Sequence, residues 1–354
     1  MKSQVIAHFS NKELSEYFKN LDIRQLASKR ILICGAGGLI GTALVELMLE
    51  INSQYETNIE IYALGRNQAT LGERFSIHLN KSAFHILAAD VIDFLPNGLR
   101  FDYIIQAASP AHPLAYSQTP VDVMKANLMG TINMLELARN SGAKLLFVSS
   151  GEIYGTSNII DSVFRENDYG YIEVSNPRSC YPESKRAAET LCASYYAQYG
   201  VDTVAARLCY VYGPTITNNN SRADAQFLRN AISHEDIVMK SPGAQVRSFC
   251  YVRDAVTGLL YILLKGRSGE AYNIANKKSI ASIREYAEIL AALSGVKIKY
   301  VLPSETEAKG YSQVSRAVLD ASKLEMLGWQ PQYDLEQGLL KTYNDLQKRN
   351  VYGK

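Results

Sequence analysis

The apolar positions of this chain fall into short runs that alternate with longer stretches of helical period. Ile31-Leu32-Ile33-Cys34 is an apolar run bounded by turn residues, and 42–49 behind it is apolar at helical spacing. The first pattern predicts a buried strand and the second a helix. Further strands are predicted over 58–67, 82–89, 101–107, 144–149 and 201–208, with helices over 120–140 and from Tyr181 to about Gly200. Strand and helix taking turns in this way predicts an α/β fold built on a doubly wound parallel sheet. After Tyr212-Gly213-Pro214 the pattern changes. A polar, Asn-rich stretch over 215–222 leads into helices at 223–233, 254–264, 281–294 and 335–347, with short strands between them. We therefore expect a sheet domain over 30–213 and a smaller C-terminal α/β domain over 214–354, with segments at about 245–275 returning to the first. Residues 1–29 read as an added helical extension, and no internal repeat or low-complexity segment interrupts the chain.

Composition narrows the partners. At 47% apolar, 20% charged and a net charge of +2, the 354 residues have the balance of a soluble enzyme. With no basic run, neither nucleic acid nor a membrane surface is an expected partner. The first 16 residues are too charged for a signal peptide, and the most apolar stretch, 31–51, carries Glu46, Glu50 and four glycines. The five cysteines (34, 180, 192, 209 and 250) lack metal-ligand spacing, and two of them lie in predicted strands, so a reduced, cytoplasmic protein without a metal is expected.

Two motifs carry chemistry. Gly35, Gly38 and Gly41 stand three apart where the first strand becomes the first long helix, with Leu39 and Ile40 between the last two. Glycines there permit a tight turn, close approach of backbone to a pyrophosphate, and packing of helix on sheet, while the helix N-terminus offers N–H groups to phosphate. This is the Rossmann-like arrangement for a dinucleotide. The second strand ends in Leu64-Gly65-Arg66, with no carboxylate for a ribose 2′-hydroxyl. Arg66 suits a 2′-phosphate, which tilts the cofactor from NAD toward NADP. Alternatively it lies over the adenine or faces solvent. Asp90, beside Val91 at the end of the third strand, is placed to reach the adenine.

The second motif is Tyr181 and Lys185, four apart and therefore on one helix face. A nearby ammonium favours the phenolate, so Tyr181 is expected to titrate closer to neutrality and to take a proton from a sugar alcohol. Ser150, at the end of the 144–149 strand, is expected to hydrogen-bond the same alcohol. In a chain with 23 tyrosines this spacing alone means little. Joined to the glycine loop, it is equipment for moving a hydride between a secondary alcohol and a nicotinamide.

The chain resembles the extended short-chain dehydrogenase/reductases of the NAD-dependent epimerase/dehydratase family, and within it the UDP-glucuronate decarboxylases, over residues 30 to about 345. The likeness is carried by Ala107-Ala108-Ser109-Pro110-Ala111-His112-Pro113, by Pro120 with Lys125, Asn127, Gly130-Thr131 and Asn133-Met134-Leu135, and by Ser150-Gly151-Glu152-Ile153-Tyr154-Gly155. It continues in Pro177-Arg178-Ser179-Cys180-Tyr181, Lys185 to Thr190, Arg207-Leu208, Arg247-Ser248-Phe249 and Leu327-Gly328-Trp329.

The resemblance implies a hydride-transfer set of Ser150, Tyr181 and Lys185, with Glu152 as a further acid/base group. Ala107, Ala108, Ser109, Asn127 and Lys185 would hold the nicotinamide and its ribose. Arg222 and Arg247 would clamp the diphosphate of a nucleotide sugar. Ser109, Glu152, Tyr210 and Arg316 would lie at the sugar, with Arg316 near a carboxylate. Gly151 stands where the decarboxylases carry Ser and the 4,6-dehydratases Asp, and Tyr210 where relatives place an Asn. The implied reaction passes through a 4-keto sugar, as in a decarboxylase or epimerase. The alternatives are an NADPH-dependent reductase of a 4-keto nucleotide sugar and a dinucleotide-binding regulatory protein without activity. A homodimer through the 120–140 and 183–200 helices is also implied, with surface polysaccharide synthesis as the setting.

Overall fold

The computed structural model describes residues 9–93, 95, 98–157, 163–218, 220–305, 308, 311 and 314–352. Its first layer is a parallel sheet of seven strands: β1 (Arg30–Cys34), β2 (Glu60–Gly65), β3 (Phe84–Ala88), β4 (Tyr103–Gln106), β5 (Lys144–Ser150), β7 (Thr203–Leu208) and β11 (Ala271–Ile274). They lie in the order β11-β7-β5-β4-β1-β2-β3, so the sequence doubles back at β1. Alternation along each strand serves both faces, as the two-residue period requires. Leu32, Cys34, Leu145 and Phe147 point to one side, where they meet Met134, Leu135 and Ala188. These belong to α5 (Pro120–Ser141) and α6 (Cys180–Tyr199). Ile31, Ile33, Leu146 and Val148 point to the other, against α2 (Leu39–Tyr55) and α8 (Val252–Lys265).

A second sheet gathers β8 (Tyr210–Tyr212), β6 (Val163–Phe164), β10 (Val246–Tyr251), β12 (Ile280–Ser282) and β14 (Arg316–Leu319). A two-stranded piece pairs β9 (Ile237–Met239) with β13 (Ile298–Tyr300). Around them lie α7 (Ala223–Ile232), α9 (Ile283–Ser294) and the C-terminal helix Leu335–Tyr352. The chain does not finish one sheet before starting the other. It leaves the first after β7, pairs β8 with β10 in the second, then returns through α8 to lay β11 against β7.

The N-terminal extension is helical over α1 (Asn11–Tyr17), started by a reciprocal cap between Ser10 and Glu13. It is fastened to the start of α8. The Tyr17 hydroxyl donates to Asp254 Oδ1 at 2.7 Å, Arg253 pairs with Glu13 at 2.7 Å, and the Tyr261 hydroxyl donates to the Tyr17 carbonyl at 2.9 Å. Asp254 also accepts from the N–H groups of Gln332 (2.8 Å) and Tyr333 (3.2 Å). Burial nonetheless outweighs these bonds and raises its carboxyl to about 7. All five cysteines are free thiols, and among the described residues no helix is long and apolar enough to cross a membrane.

Candidate active site

The end of β1 turns into α2 through a loop that only glycine fits. Gly35 has φ +72°, and a Cβ there would lie 2.8 Å from Ala108 Cα; one on Gly41 would lie 2.3 Å from the Gly35 carbonyl oxygen. α2 begins at Gly38 with no side-chain cap, leaving its first-turn N–H groups, those of Leu39, Ile40 and Gly41, for an anion. Nearby, the side-chain atoms Gln106 Nε2, Ser109 Oγ, Asn127 Oδ1 and Thr131 Oγ1 are buried without a hydrogen-bond partner. Orphaned buried polar atoms are rare in a finished fold. Their clustering on β4, the loop after it and α5 fits a polar ligand such as a dinucleotide. Asn127 is oriented by donating from Nδ2 to Ser184 Oγ at 2.9 Å. Asp90 caps its own turn, accepting from Ile92 N at 3.2 Å, and Val91 is buried. Arg66 stands exposed one residue past β2.

β5 ends at Ser150, whose hydroxyl accepts from Glu152 N at 3.2 Å and opens the 3-10 turn Gly151–Tyr154. α6 brings Tyr181 and Lys185 to this turn, 7% and 2% exposed. The expectation of a lowered tyrosine is overturned here. Burial first, and then the charge of Glu152, raise Tyr181 to about 12, and a hydrogen bond with Ser150 and the charges of Arg222 and Arg178 only partly oppose them. Lys185 contributes little because its ammonium is aimed elsewhere. Nζ donates to the Val148 carbonyl at 2.7 Å and lies 5.8 Å from the Tyr181 ring centre. Burial lowers Lys185 to about 7.

Ser150, Gly151, Glu152 and Tyr181 open onto a cavity of about 560 Å³ between the two sheets. Arg222 and Arg247 line it with Tyr210, their guanidinium carbons 6.0 and 5.4 Å from its ring centre. Of the residues expected at the sugar, two are not on the cavity wall. Ser109 is one. Arg316 is the other: alternation along β14 gives the cavity Ala317 and Leu319 and turns Arg316 away. Leu319 also accounts for Gly151, since a Cβ there would lie 2.9 Å from Leu319 Cδ1.

The sequence assigned no role to Arg178 and Tyr116. Arg178 Nη2 binds Glu152 Oε2 at 2.7 Å, and its guanidinium lies 4.6 Å from the Tyr116 ring centre. Tyr116 in turn stacks on Tyr181, ring centres 4.8 Å apart and planes 24° from parallel. Arg178 falls three residues before Tyr181, but its partner lies 26 residues away, and no spacing in the sequence announces such a pair. Behind the site, Arg207 joins Glu189 of α6 at 2.7 Å and the Tyr154 hydroxyl at 2.9 Å, tying α6 to the turn.

Comparison with known proteins agrees with this layout. Residues 31–275 match the NAD-dependent epimerase/dehydratase family. UDP-glucuronic acid decarboxylase 1 of Xenopus tropicalis is 33% identical over 322 residues, which is 90% of this chain and 72% of that protein. UDP-glucuronic acid decarboxylase 3 of Arabidopsis thaliana is 33% identical over 90% of each chain. Among solved structures, the dTDP-glucose 4,6-dehydratase of Streptomyces venezuelae, determined with NAD and TYD bound, superposes with a TM-score of 0.78 at 25% identity, covering 91% of this chain and 98% of its own. The protein is therefore an enzyme of the NAD-dependent epimerase/dehydratase family.

Proposed function

We propose that the protein decarboxylates a nucleotide-linked glucuronate, UDP-glucuronate, through a 4-keto intermediate. The observation that carries the reading is the Ser150–Tyr181–Glu152 constellation opening on a cavity lined by three arginines. The 33% identity to proteins named UDP-glucuronic acid decarboxylase supports it. In this reading the loop of Gly35, Gly38, Leu39, Ile40 and Gly41 holds the pyrophosphate of NAD, Asp90 and Val91 border the adenine, and Ala107, Ala108, Ser109, Asn127 and Lys185 hold the nicotinamide end. When bound, the dinucleotide supplies reversible two-electron oxidation at C4 of the sugar.

The protein's own residues do the rest. Tyr181 in its phenolate form, the minor one with its value held at about 12, takes the proton of the C4 hydroxyl, while Ser150 hydrogen-bonds the same oxygen. The new ketone is β to the carboxylate. The bond from C5 to the carboxyl carbon then breaks, carbon dioxide leaves, and the electron pair passes to an enolate. Glu152, having taken up a proton from solvent, delivers it to C5, and Tyr181 returns one to O4 on reduction. Arg222 and Arg247 hold the diphosphate, flanking Tyr210 at the nucleotide end.

The test is product analysis by mass spectrometry after incubation with UDP-glucuronate and NAD or NADP. A product lighter by carbon dioxide, with no net change in dinucleotide, is the expected result; unchanged substrate with both cofactors refutes the reading. The exposed Arg66 and the missing carboxylate at the end of β2 favour a second reading, NADPH-dependent reduction of a 4-keto sugar. Net oxidation of added NADPH would select it. Val121 and Met124 on α5 and Tyr196 and Tyr199 on α6 are exposed. They support a homodimer built on these helices, which light scattering would measure.

A further inference from the structure

Decarboxylation needs a group that recognises the sugar's carboxylate, and Arg316, the residue expected to do so, does not line the cavity. Three guanidinium groups do, and they differ in what they bind: two are held by main-chain carbonyls and one binds a carboxylate. Arg247 is tethered by the carbonyls of Val246, Val314 and Ser315 at 2.9, 2.7 and 3.3 Å. Arg222 donates to the Val211 carbonyl at 3.0 Å and faces Asp224 at 3.6 Å. Both sit around Tyr210. Arg178 lies in the same cluster, with its guanidinium over the Tyr116 ring that stacks on Tyr181, and among its contacts is the carboxylate of Glu152.

We infer that Arg178 is the receptor for the substrate carboxylate and that binding exchanges Glu152 for that carboxylate on the guanidinium. The inference rests on the decarboxylase reading above. Its chemistry follows from the sugar. The carboxylate is attached to C5, the carbon that must be protonated after carbon dioxide leaves. The group that holds the carboxylate must therefore neighbour the group that protonates C5, and Arg178 and Glu152 are 2.7 Å apart. A planar guanidinium donates as readily to one carboxylate as to the other. Stacking on Tyr116 fixes its plane relative to Tyr181. A neutral sugar has no group that competes with Glu152, so the ion pair stays closed and the site discriminates against it. When the C5–carboxyl bond breaks, the substrate's charge moves to the enolate oxygen. Displaced from Arg178, Glu152 takes up from solvent the proton that it gives to C5; anionic again, it re-pairs with Arg178.

The test measures binding of UDP-glucuronate, UDP-glucose and UDP to the full chain loaded with NAD, by titration calorimetry. Arg178→Met should weaken UDP-glucuronate by about 30-fold or more, the size expected when one partner of a desolvated charge pair is removed. UDP and UDP-glucose should change by less than about threefold, which also shows that the variant is folded. Glu152→Gln, which removes the competitor, should tighten UDP-glucuronate and leave UDP unchanged. Equal losses for all three ligands, or UDP-glucuronate binding that Arg178→Met leaves intact, would overturn the inference alone. A wild-type protein that binds UDP but not UDP-glucuronate would overturn the decarboxylase reading as well.

Discussion

Asp254 offers a sharp test of how the N-terminal extension is held. Its carboxylate accepts three hydrogen bonds, from the Tyr17 hydroxyl and from the N–H groups of Gln332 and Tyr333, yet burial raises it from 3.8 to about 7. Because the folded value is the higher one, the folded state binds the proton more tightly than the unfolded chain. The favourable contribution is therefore complete below pH 3.8 and is lost as pH rises through 7. A shift of about three units corresponds to on the order of 4 kcal/mol, of which about 2 kcal/mol falls between about pH 5.5 and 8.5. Asp254→Asn cannot ionise. Its one oxygen can serve Gln332 N and the Tyr17 hydroxyl, while its NH2 turns to Tyr333 N, a pH-independent loss of about 1–3 kcal/mol. Chemical denaturation of both proteins across this range should show wild type losing about 2 kcal/mol relative to the variant as pH rises, because other titrating groups cancel in the comparison. Two stability curves that stay parallel would refute the reasoning.

Three further outcomes can be checked. Gly41→Ala puts a methyl 2.3 Å from the Gly35 carbonyl oxygen and should cost about 2–3 kcal/mol in denaturation, with loss of NAD binding by fluorescence titration. Gly151→Ser, which restores the residue of the decarboxylases, should meet Leu319 and lower the melting temperature, and Leu319→Ala in the same chain should recover most of it. Arg207→Met leaves Glu189 and the Tyr154 hydroxyl without their guanidinium and should destabilise by about 3–5 kcal/mol in urea unfolding.

The parts of this molecule legible in the sequence are those whose signal is local. The apolar run 31–34 followed by glycines could hardly be anything but a strand entering a helix, and Tyr181 and Lys185 share a helix face by spacing alone. The second sheet was nearly invisible, because β8 and β12 are three residues long and β6 two, too short to show a period. Electrostatics failed for a related reason. Spacing places Lys185 near Tyr181, but the Val148 carbonyl that claims its ammonium comes from another element. The direction of the tyrosine's shift depends on burial, which no local pattern encodes. Arg316 shows how finely the outcome is set. It stands one residue from Ala317, which does face the cavity, and a two-residue period allows no middle position.

The interleaving of the two sheets also orders events in time. α1 is made first, yet its partners Asp254 and Arg253 lie 237 and 240 residues downstream of Tyr17 and Glu13. At about 5–20 residues per second, the ribosome delivers those partners roughly 12 to 50 s later. β11, the edge strand of the first sheet, emerges later still. The seven-stranded sheet is therefore complete only once β11 has been made. Phe9, Leu14 and Tyr17, all buried at the end, reach their full burial only when α8 has been made.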